Sequence, residues 1–420
     1  MDKAILADIH FTDRAYHDSW PPEAALEELR ALAESCGLAV LQSHTIARKI
    51  PSVRTFIGKG KVEWLHQLCH ETGANLVVFG KDLSFRQQRN LETDLGVGVI
   101  DRTQLILDIF ARRAHSLEGK VQVELAQLQY LLPRLAGQGS ALSRLGGGIG
   151  TRGPGEKKLE VDRRKIRLRI TKLSHELKEI GKHRQVMRSK RISHIMPTVA
   201  LVGYTNAGKS TLLNRLTAAG TPSKDQLFTT LDPLARRLEL PSGQLILLSD
   251  TVGFLHQLPH HLIDAFSATL EEVVQSYLLV QVVDASDPML EIILNDVEEV
   301  LTFLKAQDKP RLLVMNKIDQ VPLADLTRLY RLYPQAVFIS GKTGQGVTTL
   351  LERFITVLSG LRKELTVWLP DTHQHWIGKI YEDGEVLSKE AKPGGLMLTV
   401  RVSQRLAGQL AKAGWVQTAA

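Results

Sequence analysis

The chain has 420 residues, 43% of them hydrophobic, which is enough for two or three domains with cores of their own. Its two cysteines, Cys36 and Cys69, exclude a disulfide framework and fit a reducing, cytoplasmic setting, and no apolar stretch approaches the ~20 residues needed to cross a membrane. The net charge is +8, but sixteen Lys or Arg against five Asp or Glu lie between Ala141 and Arg191, so the excess sits in one segment and points to an anionic partner there.

Residues 1–115 read as a small α/β domain. The opening Met-Asp-Lys-Ala-Ile-Leu-Ala-Asp lacks the charged-then-apolar order of a secretory signal. Apolar runs at Leu38–Gln42, Leu76–Phe79 and Val97–Ile100 predict strands, and Pro22–Cys36 and Val62–Thr72 predict helices. Gly58-Lys59-Gly60-Lys61 reads as a turn, with a phosphate grip as the lesser alternative, and Arg86, Arg89 and Arg102 read as scattered basic groups.

Residues 116–192 change character. Val121, Leu125, Leu128 and Leu132 recur by fours and threes. Leu159, Ile166, Ile170, Leu173, Leu177, Ile180 and Met187 make a second seam, so the spacing predicts two antiparallel helices packed along it. The connection, Ala136–Lys157, holds eight glycines and cannot build a core. Arg134, Arg144, Arg152, Lys157 and Lys158 surround it. A glycine-rich basic tip suits close approach to structured RNA, with Arg144, Arg152, Lys157 and Lys158 as the expected contacts; a plain inter-helix linker is the alternative.

Residues 197–360 alternate strand and helix patterns, which predicts a doubly wound, mostly parallel sheet with ligand at the carboxyl ends of its strands. Gly203-Tyr204-Thr205-Asn206-Ala207-Gly208-Lys209-Ser210 follows the apolar run Val199–Val202, and a helix opens at Thr211. This is a phosphate loop in its required setting. Backbone N–H groups cradle phosphate, Lys209 reaches the terminal phosphates, and the Ser210 hydroxyl ligates Mg²⁺. Phe228-Thr229-Thr230-Leu231-Asp232 fits a first switch, with Thr230 the preferred second hydroxyl on Mg²⁺ and Thr229 open beside it. Asp250-Thr251-Val252-Gly253 follows the run Leu245–Leu248. Asp250 is placed to hold Mg²⁺ through water and the Gly253 N–H to meet the γ-phosphate, so Lys209, Thr230 and Gly253 form the expected catalytic set. Asn316-Lys317-Ile318-Asp319 ends a further apolar run. The Asp319 carboxylate accepts two hydrogen bonds that guanine offers and adenine does not. Ser340-Gly341-Lys342 fits a last base-contacting loop, where Gly341 keeps an N–H for guanine O6 but loosens the turn. The nucleotide is therefore GTP or GDP. Phe254 stands where Ras-like proteins carry a water-orienting Gln, which implies slow hydrolysis whose acceleration needs a group supplied by conformational ordering or by a partner; alternatively Phe254 packs in the core and Gln257 or a nearby histidine orients the water.

Residues 361–420 predict a small α+β domain, with strands at Leu365–Leu369 and Leu396–Val402 and helices at His373–Tyr381 and Ser403–Ala413.

With these motifs placed, the chain resembles the HflX family of GTPases over nearly its whole length. Gly147–Glu156 matches that family's glycine signature ahead of a long basic helix, and the switch segments and the region from Asp101 to Leu128 are similar to it. Lys157-Lys158 and Gly341 depart from its usual residues. The resemblance implies a monomeric cytoplasmic GTPase that binds the large ribosomal subunit and its RNA in the GTP state. It implies a role in splitting stalled ribosomes under stress, and in subunit maturation. ATP-dependent RNA remodelling through the N-terminal region is the alternative function, and peripheral membrane association stays open.

Overall fold

The computed structural model describes residues 2–13, 15–16, 20–135, 154–191, 196–217, 228, 234–257, 267–360 and 362–417. The N-terminal sheet is all parallel, in the order β2-β1-β3-β4, with β1 at Lys3–Phe11, β2 at Ala39–Arg48, β3 at Leu76–Phe79 and β4 at Gly98–Asp101. Side chains alternate across a strand, and β1 uses both faces. Ala4 and Leu6 pack with helices Pro22–Ser35 and Arg102–Arg113, while Ile5, Ala7, Ile9 and Phe11 pack with helices Lys59–Thr72 and Phe85–Leu95. The central strand β1 escaped the sequence reading because Asp8 and His10 interrupt its apolar run; Asp8 is nevertheless buried.

Helix Leu117–Leu135 leaves this domain as the first half of an arm, and helix Pro154–Arg191 is the second half. At 38 residues the latter is about 57 Å long. The expected seam forms in the middle of the pair, where Val121, Leu125 and Leu128 meet Ile170, Leu173 and Leu177. Arg169 clasps Glu124 beside it with two bonds of 2.6 and 2.8 Å. Arg134, read from sequence as part of the basic tip, is instead a root. It pairs with the fully buried Asp101 at 2.8 Å and lies 3.3 Å over the Tyr130 ring. Asp101 also accepts from the Leu83 N–H, the Gln104 N–H and the Tyr130 hydroxyl, so one carboxylate caps helix Arg102–Arg113 and ties the arm to β4. Burial pushes its pKa up, opposed by these bonds and by Arg134.

The third unit carries a six-stranded sheet in the order β10-β9-β8-β5-β7-β6. Its strands are β5 Thr198–Val202, β6 Leu234–Glu239, β7 Leu245–Asp250, β8 Leu278–Asp284, β9 Arg311–Asn316 and β10 Val337–Phe338. Only the edge strand β6 runs antiparallel to its neighbour among these pairings. The last unit is an antiparallel sheet in the order β12-β13-β11-β14, from β11 Arg362–Pro370, β12 Glu385–Lys392, β13 Gly395–Ser403 and β14 Val416–Gln417, with helices His375–Asp383 and Gln404–Lys412. Sequence reading missed β12, whose residues are nearly all exposed and show no buried face.

The N-terminal unit and the six-stranded unit share one apolar cluster. Leu29, Leu32, Leu105, Phe110, Ala126 and Tyr130 of the former pack with Tyr204, Phe228, Val252, Leu255 and Ile293 of the latter. Among the described residues no helix is long and apolar enough to cross a membrane. Cys36 and Cys69 are buried thiols, and burial raises the pKa of both.

Candidate functional site

The loop after β5 turns on glycines that nothing larger could replace. Gly203 has φ 146°, and a Cβ there would lie 2.1 Å from the Val282 carbonyl oxygen; Gly208 has φ 90°, and its Cβ would lie 2.2 Å from Asn316 Nδ2. Lys209 opens helix Lys209–Thr217 and is 6% exposed. Its ammonium donates to the carbonyls of Gly203 (3.1 Å) and Tyr204 (2.7 Å), which hold it across the loop. Burial lowers its pKa to about 8, with Asp250 pulling the other way. A buried ammonium held across the loop by two backbone carbonyls is placed to take a polyphosphate.

The Ser210 hydroxyl donates to Asp250 Oδ2 at 2.6 Å, and Asp250 is fully buried at the end of β7. A hydroxyl and a carboxylate held together beneath a phosphate loop are hard oxygen donors, and they fit Mg²⁺. Ser210 and, through water, Asp250 are the described residues that would hold it. Bound there, the ion would offset the negative charge of the phosphates. Thr251 is engaged elsewhere, donating to the Leu201 carbonyl at 2.6 Å. Val252 belongs to the shared apolar cluster. Gly253 lies hard against the loop: a Cβ on it would be 2.8 Å from Thr205 Cγ2 and 3.0 Å from Lys209 Nζ.

Phe254 is a core residue, 1% exposed and packed among Val202, Leu270 and Val273. Its backbone is stitched to the phosphate loop, its N–H donating to the Gly203 carbonyl (3.0 Å) and its carbonyl accepting from the Thr205 N–H (2.8 Å). The neighbouring histidine, an alternative water-orienting group, faces away. His256 Nδ1 is 2.9 Å from Asp296, and its ring stacks on Trp20 at 4.7 Å. Gln257 gives its carbonyl to Arg102.

On the base side, Asn316 is buried and braced at both ends. Its Nδ2 donates to the Ala207 carbonyl (2.8 Å) and its Oδ1 accepts from the Gly341 N–H (2.9 Å). The Gly341 N–H, expected to reach guanine O6, thus faces Asn316 in this structure. Lys317 takes a left-handed backbone with φ 62° and pairs with Asp284 at 2.7 Å. Ile318 packs inward, and Asp319 is exposed at the rim. Ser340 is fully buried and its Oγ accepts from the Thr343 N–H, while Arg215 donates to the carbonyls of Gly341 and Lys342. The turn that Gly341 was expected to loosen is therefore tied from both sides.

Two expected ligand residues point elsewhere. Tyr204 sends its side chain into the N-terminal unit, where its hydroxyl donates to Glu28 and accepts from the His256 N–H at 2.7 Å. Burial first and Glu28 second hold that phenol well above its ordinary pKa. Phe228 packs edge-on against Phe110 at 4.5 Å. Asn206 and Ala207 keep their places in the loop, Asn206 with φ 60°. Thr229, Thr230, Leu231 and Asp232, like Arg144 and Arg152, lie outside the described residues. Lys157 and Lys158 fall on the long helix, with side chains outside the description.

Sequence reasoning missed Glu28, Arg102, Trp20, Asp284 and Asp296. Arg102 pairs with Glu28 at 2.6 Å and donates to the His256 carbonyl at 2.7 Å and the Gln257 carbonyl at 3.4 Å. Burial opposes its charge most, but Glu28, Tyr204 and Asp82 together outweigh it and its pKa rises. Only Asp284 left a signal, an acid ending the apolar run of β8.

The chain is similar to known proteins along its length. Family models match the chain in four consecutive stretches: GTP-binding GTPase N-terminal over residues 23–111, GTP-binding GTPase Middle Region over 113–191, 50S ribosome-binding GTPase over 198–317, and HflX C-terminal domain over 330–418. GTPase HflX of Caldanaerobacter subterraneus subsp. tengcongensis is 45% identical over 91% of this chain and 88% of its own length. GTPase HflX of Escherichia coli is 42% identical over 96% and 93%. A GTP-binding protein from Sulfolobus solfataricus, solved with GDP, superposes with a TM-score of 0.45 at 25% identity, covering 86% of this chain and 100% of that one. The four family models and the two HflX relatives make the chain a guanine-nucleotide-binding, GTP-hydrolysing enzyme of the HflX GTPase family.

Proposed function

We propose that this enzyme docks on the large ribosomal subunit in its GTP state and leaves after hydrolysis, with the helical arm probing ribosomal RNA. Ribosome splitting and rescue under stress is the biological output this reading favours. One observation carries it: two consecutive residues join the switch to the arm. Arg102 holds the carbonyls of His256 and Gln257, just past Gly253, while Asp101 holds Tyr130 and Arg134 at the arm's root. A movement of residues 253–257 on binding or losing a γ-phosphate thus acts on the end of the same helix that anchors the arm. The basic charge of the arm supplies affinity for RNA phosphate. In this reading Ser210 and Thr230 ligate Mg²⁺, Lys209 and Gly253 meet the γ-phosphate, Asp319 reads guanine, and Arg144, Arg152, Lys157 and Lys158 touch RNA.

Sedimentation of the full chain with large subunits, in GDP and in a non-hydrolysable GTP analogue, tests this. Co-sedimentation with the analogue alone is expected. Equal co-sedimentation in both states overturns the switch. Unchanged binding and salt dependence after Arg144, Arg152, Lys157 and Lys158 are all changed to Ala overturns the arm-tip assignment.

A further inference from the structure

One acid at the base end belongs to none of the nucleotide-binding motifs. Asp284 ends β8, and the strand register puts it beside Asn316 at the end of β9. That is the carboxyl edge of the sheet, where a doubly wound fold takes its ligand. The Asp284 side chain is 19% exposed and that of Lys317 21% exposed, and the Lys317 ammonium donates to Asp284 Oδ2 at 2.7 Å. The other oxygen is fixed separately. Oδ1 accepts from the Ser286 N–H at 2.9 Å and from the Ser286 hydroxyl at 2.6 Å. The carboxylate is therefore oriented by its own turn as well as by the lysine.

Lys317 is held at its other end too. The Ala285 N–H donates to the Asn316 carbonyl at 2.8 Å, which pins the peptide joining Asn316 to Lys317. The Lys317 backbone stands at φ 62°, a conformation that a residue with a Cβ seldom adopts. A lysine carries its charge on a flexible four-carbon stem, and ordering that stem costs entropy. Here the backbone and the head group are both fixed in the nucleotide-free protein, so the stem is ordered in folding and not in binding. Asp287 lies close enough for the Lys317 charge to oppose the rise that burial gives its pKa, but its Oδ1 accepts from the Met289 N–H at 2.8 Å. Among the described residues Asp284 is the one acid paired with Lys317, and Asp319 is left exposed at the rim.

We infer that Asp284 is a positioning residue for guanine-nucleotide binding in this chain: it holds the Lys317 ammonium so that the lysine stem is set beside the base before the nucleotide arrives. This rests on the reading that Asn316–Asp319 receives guanine.

The test measures GDP and GTP affinity of the full chain with Mg²⁺ by displacement of a fluorescent nucleotide, and kcat at saturating GTP. It compares D284N, which keeps the shape and an acceptor for Ser286 but removes the charge, K317M, which keeps a long stem without the ammonium, their double variant, and S286A. D284N is expected to weaken GDP and GTP alike, by about tenfold, with kcat at saturation within about twofold, because the base is the same in both nucleotides. K317M should lose a similar amount, and the double variant no more than about twofold beyond the weaker single one, since either change alone breaks the pair. S286A keeps the ion pair and should bind within about threefold of the parent; a role confined to the turn would make it as weak as D284N. The inference is overturned if D284N binds GDP within about twofold of the parent, if the two losses multiply in the double variant, if S286A falls as far as D284N, or if kcat at saturation falls in parallel with affinity. D319N tells the two readings apart. If it gains no affinity for xanthosine diphosphate, the base reading fails and this inference with it; if it gains that affinity while D284N binds like the parent, this inference alone fails.

Discussion

The two ends of the nucleotide site are built differently. The base end is self-contained: Asn316, Lys317, Ser340 and Gly341 are braced by Ala207, Asp284, Thr343 and Arg215, all in the same six-stranded unit. The phosphate end is shared. Tyr204, Phe228, His256 and Gln257 each touch the N-terminal unit through Glu28, Phe110, Trp20 or Arg102. The base does not change when GTP becomes GDP, so its pocket has nothing to report. The γ-phosphate does change, and in the proposed reading the segments that meet it are those wired to a second domain.

Asp319→Asn should show the largest effect and should stay local. GTP affinity is expected to fall by on the order of 100-fold or more, with xanthosine triphosphate gaining, because the amide replaces an acceptor that guanine's donors require. Displacement of a fluorescent nucleotide measures it. An unchanged affinity would show that the exposed Asp319 does not read the base.

A smaller effect separates the two ends. Glu28→Gln and Tyr204→Phe each remove one side of the same buried contact. They are expected to couple by about 0.5–3 kcal/mol in a double-mutant cycle read from chemical denaturation. Either of them combined with Asp319→Asn should be additive within about 0.5 kcal/mol. Coupling between Glu28 and Asp319 would break the division into a shared end and a private one.

Gly341→Ala should do least. Gly341 does not have a left-handed backbone, and an added Cβ would meet Asn316 Oδ1 at 3.4 Å, close to ordinary contact. GTP affinity is expected to change by no more than about twofold, as read by calorimetric titration. A large loss would mean that the turn held by Arg215 tolerates no side chain.

The base-reading and phosphate-loop motifs were legible because their requirements are local. A backbone that turns on Gly203 and Gly208, a lysine and a hydroxyl all fall within eight residues, and the strand ahead of them is a plain apolar run. The heptad seam of the arm was legible for the same reason, since Val121, Leu125 and Leu128 record a helical period in their own spacing. Legibility failed where burial contradicted composition. Strand β1 hid behind Asp8 and His10, Arg134 read as a free surface cation, and Tyr204 read as a ligand-side residue because it lies inside the loop pattern.

The sequence by itself determined the ligand class and the family, because these rest on short runs whose spacing is set by backbone geometry. Only the tertiary structure decided what the switches touch. Glu28 meets Arg102 across 74 residues and Tyr204 across 176, and no pattern within a strand or helix encodes such a pairing. Those partners are fixed by how the two sheets and the helices Pro22–Ser35 and Arg102–Arg113 bury a common apolar cluster, which brings a distant carboxylate and guanidinium to the phosphate end of the site.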